Sequence, residues 1–333
     1  MLEPAGIQLN GPNAWDVQVH DNALFPRLVR DGTLGLGEAY MDGWWDCPAL
    51  DEMINRAFCA GLEDAVRNNS RFLLYLLGCR LLNRQSRTRA FQVGEQHYDI
   101  GNNVFESMLD PYMNYSCGYW DSAGNLEQAQ IAKMRMICAK LKLEPGMQVL
   151  DLGCGWGGLS HWMAEHHGVD VTGVTVSKEQ AQLARERCVG LPVTIRVQDY
   201  RELDGEFDRI VSVGMFEHVG QRNYRTFFQK TCSLLKSEGL FLLHTIGASR
   251  KGFATDRWIE KYIFPNGVLP PAQTLVESAG AFFTIEDWHN FGADYDPTLM
   301  AWHKKFNTAW PQLKAQYGER FKRMFNYYLL TCA

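Results

Sequence analysis

The sequence predicts an α/β protein: a mostly parallel sheet with helices on both faces, preceded by a small, mainly helical N-terminal domain. Three observations carry this. From about residue 97, short apolar runs alternate with segments of helical periodicity. The runs are rich in β-branched residues and apolar throughout, as in strands covered on both faces. The stretch "VLDLGCGWGGLSHWMAEH" (149–166) reads as a buried strand, a glycine loop and a helix start.

Residues 1–90 lack the alternation. "NALFPRLVRDG", "ALDEMINRAFCAGLEDAVRNN" and "SRFLLYLLGCRLLNRQSRTRA" each carry apolar residues at helical spacing. Between the first two, "GTLGLGEAYMDGWWD" (32–46) is rich in glycine and aromatics, so a turn-rich connection is expected there. The polar stretch around 83–96 is the linker candidate, which divides the chain into 1–84, a linker at 85–96 and a second domain at 97–333. Helix "NLEQAQIAKMRMICAKLKL" should end at Pro145-Gly146. Strands follow at 148–153, 170–176, 193–199, 207–214 and 239–247, with "SKEQAQLARERCVG" and "NYRTFFQKTCSLLKSEG" as intervening helices. Ligands of such sheets bind beyond the carboxyl ends of the strands.

Bulk properties exclude several classes. With 333 residues, 46% hydrophobic and 21% charged, the composition is that of a globular protein. A net charge of −5 argues against a dedicated nucleic-acid binder. No apolar run approaches bilayer-spanning length, and "MLEPAGIQLNGPN" lacks the charged-then-apolar pattern of a secretory signal. The nine cysteines contain no C-x-x-C pair, so neither a zinc site nor a disulfide framework is expected, and a cytoplasmic setting with reduced thiols is the simplest account.

The glycine loop admits two readings. Gly153, Gly155 and Gly158 have the G-x-G-x-x-G spacing of a dinucleotide site, whereas Asp151 with Gly153, Gly155 and Gly157 suits S-adenosylmethionine. A dinucleotide site needs an acid at the end of the second strand to hold the ribose. Thr175, Val176 and Ser177 stand there, while Asp170 lies at the wrong end. The third strand ends in "VQDYRE", placing Asp199 where an adenine amino group would be met. A nicotinamide enzyme is therefore disfavoured, although the missing acid also departs from the general methyltransferase pattern.

A narrower family accounts for it. The chain resembles the cyclopropane-fatty-acyl-phospholipid synthases over nearly its whole length. The matching stretches are "GEAYMDGWW" (37–45), "HYDIGN" (97–102), "YSCGYW" (115–120), "LDLGCGWGG" (150–158), "GVTVSKEQ" (173–180), "GMFEHVG" (214–220), "LLHTIG" (242–247), "YIFPNGVLP" (262–270) and "FGADYD" (291–296). "GEAYMDGWW" points to the bacterial, phospholipid-acting branch, which carries an extra N-terminal domain. Family members usually continue past "FNYYLLTCA" with an arginine- and tryptophan-containing segment that this chain lacks, and its start also reads as trimmed.

The resemblance implies a Rossmann-like S-adenosylmethionine-dependent methyltransferase fold and a reaction that adds a methylene across a cis double bond of a phospholipid acyl chain. The alkene attacks the sulfonium methyl, and loss of a proton from the new methyl closes the ring. The proton acceptor must be near but weakly nucleophilic, and bound bicarbonate is the one the family is understood to use. Implied cofactor contacts are Tyr115, Ser116, Asp151, Gly153, Gly155, Thr175, Val176, Gln180, Gln198, Asp199 and Tyr200, with no metal. Implied anion ligands are Glu217 and His244, with the Ile246 backbone beside them, the backbone N–H of Cys117 and the hydroxyl of Tyr295. Taken without the family, Glu217 is as readily a surface residue and His244 a satisfied core histidine. His218 is expected to support its neighbours. A nucleophilic Cys117 is rejected, because a thiolate facing a sulfonium would be methylated.

Residues 248–285, with Trp258, Tyr262 and Phe264, are expected either to roof an acyl tunnel or to form an ordinary helical insertion. Arg71, Arg80, Arg84, Arg87 and Arg89, with no acid among them, are expected to meet an anionic membrane surface at the inner face of the plasma membrane or to be solvated on a packed helix. A homodimer is implied by resemblance alone. Two rival functions stand beside the first: methyl transfer to a soluble amine or oxygen nucleophile, and a cofactor-binding module without catalysis.

Overall fold

The computed structural model describes residues 2–62, 101–248 and 255–333. The arginines at 71–89, the linker at 85–96 and the start of "HYDIGN" lie outside the described residues. Packing divides the described chain into two compact units. One comprises 2–62, 255–265 and 295–333, and the other 101–248 and 266–294.

The larger unit is built on five parallel strands in the order β5-β4-β3-β6-β7. These are β3 (Gln148–Leu152), β4 (Asp170–Thr175), β5 (Val193–Val197), β6 (Phe207–Val213) and β7 (Leu235–His244). β3 is central, with Asp151 opposite Gly173 of β4 and Leu150 opposite Ile210 of β6. The chain winds to opposite sides of β3, which opens a crevice at its carboxyl end.

Successive strand residues point to opposite faces, and both faces are covered. Leu150, Leu152 and Ile210 join Phe216, Tyr224, Phe227 and Leu275 on one side. Val149, Val171 and Val211 join Met134, Ile137, Trp162 and Met163 on the other. Each such fully buried side chain contributes roughly 1.5–3 kcal/mol. The covering helices on the second side are α5 (Leu126–Lys140) and α6 (Gly158–His167). Those on the first are α8 (Tyr224–Leu234) and α10 (Ala272–Ala279). α4 (Asn102–Met108) precedes them, and α7 (Lys178–Arg187) lies between β4 and β5. Side-chain caps set two helix starts: Asn125 Oδ1 accepts from Gln128 N at 3.0 Å, and Ser177 Oγ from Gln180 N at 3.2 Å.

β7 begins four residues before the expected 239 and ends at His244, three short of 247. Among the described residues it is the last strand in the order and pairs with β6, so the polar "KSE" of its first half is tolerated, and Lys236 pairs with Asp208 at 2.8 Å. Its early end sends Thr245 and Ile246 out of the sheet.

The smaller unit contains α1 (Leu24–Asp31), α2 (Thr33–Met41), α3 (Leu50–Cys59), α9 (Arg257–Tyr262), α11 (Tyr295–Cys332) and a two-stranded ribbon, β1 (Gln18–Val19) with β2 (Trp45–Asp46). α11 is broken at Gly318, where φ is 73°. α2 corrects the expectation of a turn-rich connection at 32–46. Its glycines are contact positions: a side chain at Gly37 would strike the Trp258 ring, and one at Gly35 would come 2.7 Å from the Arg27 carbonyl. Packing therefore outweighs the roughly 1 kcal/mol helix penalty of each glycine.

"GEAYMDGWW" is the hub of this unit. Glu38 accepts from Arg27 Nη2 at 2.7 Å, Lys261 Nζ at 2.6 Å and the Tyr262 hydroxyl at 2.8 Å. Burial works against its charge, but these donors outweigh it and lower its pKa to about 2. Trp45 is fully buried and donates to Leu36 O, while Arg323 donates to Tyr40 O, Trp45 O and Asp46. Trp258, Tyr262 and Phe264 pack in this unit too, against Tyr327, Glu38 and Tyr328 respectively.

Candidate active site

The carboxyl ends of β3, β4 and β5 form one half of the site. After β3 the chain turns through Gly153, Gly155 and Gly157 at φ 91°, 54° and 80°, a run that residues with a Cβ rarely adopt. Gly153 and Gly158 are held by packing: a Cβ at Gly153 would lie 2.6 Å from Met215, and one at Gly158 would collide with Tyr112 O. Gly155 differs, because a Cβ there meets nothing within 4 Å. Its backbone borders open space, as close approach of a ligand requires.

The N–H groups of Gly153 and Cys154 both donate to Val174 O, tying the loop to β4. Asp151 is buried behind the loop and accepts from Ser160 Oγ at 2.7 Å, with burial raising its pKa to about 6. It fastens the loop to α6. Trp156 donates to Asn102 Oδ1 at 3.0 Å and stacks on Phe105, whose ring also meets Tyr115. Asn102 and Tyr115 thus converge on the glycine loop.

At the end of β4, Thr175 Oγ1 donates to Gln180 Oε1 at 3.0 Å, and both residues are buried beside half-buried Val176. Gln198 N donates to Thr175 O. Asp199, after β5, is buried and forms a bidentate pair with Arg201, Oδ1 to Nε at 2.7 Å and Oδ2 to Nη2 at 2.5 Å. Tyr200 packs on Phe227, and burial pushes its phenol up to about 12.

The other half lies beyond β6 and β7. Val213 and His244 are register partners, and Gly214 N donates to His244 O at 3.0 Å. Glu217 sits in a single 3-10 turn, Phe216–His218, immediately after β6. Its Oε1 accepts from Ile246 N at 2.7 Å, and its carbonyl accepts from Val268 N of the "YIFPNGVLP" stretch. Among the described residues, Glu217 Oε2 and His244 Nδ1 are both buried without a hydrogen-bond partner. Burial raises the Glu217 pKa, and burial followed by the Lys133 charge lowers that of His244 to about 3. His218 is half-buried alongside, and desolvation lowers its pKa to about 4.

The Ile246 N–H therefore holds Glu217 in place. Cys117 is buried, with its thiol directed to Gly118 O at 3.3 Å and Phe291 O at 3.9 Å. Asp294 accepts from Trp120 N at 2.7 Å, which joins "YSCGYW" to "FGADYD". Tyr295, the next residue, opens α11 in the smaller unit.

Two buried residues escaped sequence reasoning. Gln130 and Lys133 of α5 reach Ser116: Gln130 Nε2 donates to its carbonyl at 2.9 Å and Lys133 Nζ to its hydroxyl at 2.6 Å. The available signal was two polar residues three apart on the stripe that also carries Met134 and Ile137. Among the described residues no cluster of His, Cys, Asp or Glu fits a metal ion, and no helix is long and apolar enough to cross a membrane.

A parallel sheet with a left-handed glycine loop after its central strand, and polar groups gathered at the neighbouring strand ends, defines an enzyme of the S-adenosylmethionine-dependent methyltransferase class. Residues 85–333 match the family described as mycolic acid cyclopropane synthetase. The chain belongs to that family. It is 55% identical over all 333 residues to a cyclopropane-fatty-acyl-phospholipid synthase of Escherichia coli K12, spanning 87% of that protein. It is 36% identical over 265 residues to cyclopropane mycolic acid synthase 2 of Mycobacterium bovis, covering 71% of this chain and 87% of the relative. Among solved structures, mycolic acid cyclopropane synthase CmaA1 complexed with SAH and CTAB superposes with a TM-score of 0.68 at 32% identity, over 73% of this chain and 92% of the other. Coclaurine N-methyltransferase superposes at 0.70 with 20% identity, a likeness of fold.

Proposed function

We propose that this enzyme transfers a methylene group from S-adenosylmethionine to a cis double bond in an acyl chain of a membrane phospholipid, and that bound bicarbonate accepts the proton released on ring closure. The 55% identity to a cyclopropane-fatty-acyl-phospholipid synthase supports the substrate class. One structural observation carries the proton acceptor: Glu217 Oε2 and His244 Nδ1 are buried at adjacent strand ends and, among the described residues, unpartnered. Buried polar atoms normally find partners, so two orphans together suit a small hydrogen-bonding ligand.

S-adenosylmethionine, when bound, supplies the methyl carbon that bridges the double bond. The open side of Gly155 leaves room for it, while Thr175 with Gln180 and the Asp199–Arg201 pair form the polar strand ends that would hold it. Glu217 is anchored through Oε1, so Oε2 is the atom that would accept from a bicarbonate hydroxyl. His244, kept neutral by burial, would donate from Nδ1 to an anionic oxygen. Neither side chain takes the proton itself. Because the substrate lies in a bilayer, the arginines at 71–89 supply the positive charge for docking on an anionic leaflet.

Incubation with methyl-labelled S-adenosylmethionine and vesicles of monounsaturated phospholipid should place label in cyclopropane lipids. Activity should fall in buffer stripped of carbon dioxide and return with added bicarbonate. Label in a soluble amine instead, or none at all, would replace the proposal with one of the rival functions.

A further inference from the structure

Lys133 is 1% exposed, and among the described residues its hydrogen-bond partner is the Ser116 hydroxyl, with no carboxylate in ion-pair contact. Holding Ser116 does not need a charge. Gln130, one turn earlier on α5, holds the same residue through its carbonyl as a neutral amide. Removing an ammonium from water is unfavourable unless an opposite charge answers it.

The groups that bear on Lys133 from neighbouring elements are Asp110, Cys117 and His244. Asp110 lies beyond ion-pair distance of the ammonium and spends both oxygens on neutral donors, Tyr112 N, Asn114 N and Asn114 Nδ2, so it offers Lys133 a longer-range charge and no direct contact. Ser116, which the ammonium holds, lies against Gly214 at the end of β6, and the Gly214 N–H donates to His244 O. On the bicarbonate reading, on which this step rests, the pocket holds Glu217 and bicarbonate as two negative charges against one sulfonium. A second positive charge balances them.

We infer that Lys133 is the buried counter-charge of the anion pocket, a positioning residue that acts through the Ser116–Cys117 segment to set the affinity for bicarbonate. Lys133→Met keeps the shape and removes the charge, a change that buried sites usually tolerate. The bicarbonate dissociation constant, read by NMR titration of labelled bicarbonate, should rise by about tenfold or more, the scale of one pK unit of interaction. Turnover should recover at high bicarbonate, and the loss of bicarbonate affinity should exceed any loss of S-adenosylmethionine affinity that follows from releasing the Ser116 hydroxyl.

In the wild type, bicarbonate affinity should weaken as pH rises through the Lys133 value of about 8, because the ammonium is present only below it. That measurement needs no variant to fold. Bicarbonate dependence in the wild type with an unchanged constant in Lys133→Met, or with flat affinity across pH 8, overturns the counter-charge and leaves the proposed function standing. A wild-type enzyme indifferent to bicarbonate overturns both.

Discussion

Replacing Glu217 by glutamine separates the chemical demand on that position from its structural one. Glutamine keeps an oxygen to accept from Ile246 N, now at 2.7 Å from Oε1, so the turn after β6 should persist. What is lost is the charge and an acceptor at Oε2, the atom that is buried and unpartnered. A preorganised hydrogen-bonding group in a water-poor site is worth about 2.7–4 kcal/mol, so turnover should fall by roughly a hundred- to a thousandfold. Stability should move the other way. Burial raises the folded-state pKa of Glu217, so between the unfolded and folded values the native state binds more protons and loses stability as pH rises. At neutral pH the ionised carboxylate is thus a liability to the fold, and Glu217→Gln should melt no lower than wild type. Lipid product analysis measures the first effect and calorimetric melting at two pH values the second. Turnover within threefold of wild type would remove Glu217 from the anion pocket. A sharp drop in melting temperature would show that the carboxylate is stabilised in the fold and that its burial is misread.

Three further outcomes follow from the site. Gly155→Val should abolish S-adenosylmethionine binding by calorimetry while the protein still folds, since the position is open but at φ 54°, with a strain of roughly 1–2 kcal/mol; Gly158→Val, against Tyr112 O, should instead fail to fold. Cys117→Ser should retain substantial activity, because the thiol is directed to carbonyl oxygens and no step requires it; complete loss with normal cofactor binding would reopen a nucleophilic role. Reversing Arg80, Arg84 and Arg87 to glutamate should weaken co-sedimentation with anionic vesicles, most at low salt, and equal sedimentation would move docking elsewhere.

The sheet was legible in the chain because its signals are local. Strands buried on both faces are written as apolar runs, and the glycines of 153–158 mark the loop that takes left-handed backbone. The positions of Glu217 and His244 at the carboxyl edge of the sheet were likewise legible, His244 closing β7 and Glu217 in the turn that follows β6. Long-range packing decided the rest. Gly35 and Gly37 read as turn formers until Arg27 and Trp258 are set against them, because a helix tolerates glycine where a bulky neighbour takes the missing side chain's place. Residues 255–265 and 295–333 pack in one unit with 2–62, an association of segments some two hundred residues apart that no periodicity encodes. Lys133 looks like any helix lysine in sequence. Only the tertiary structure buries it against Ser116, because which face of α5 turns inward depends on what the sheet presents to it.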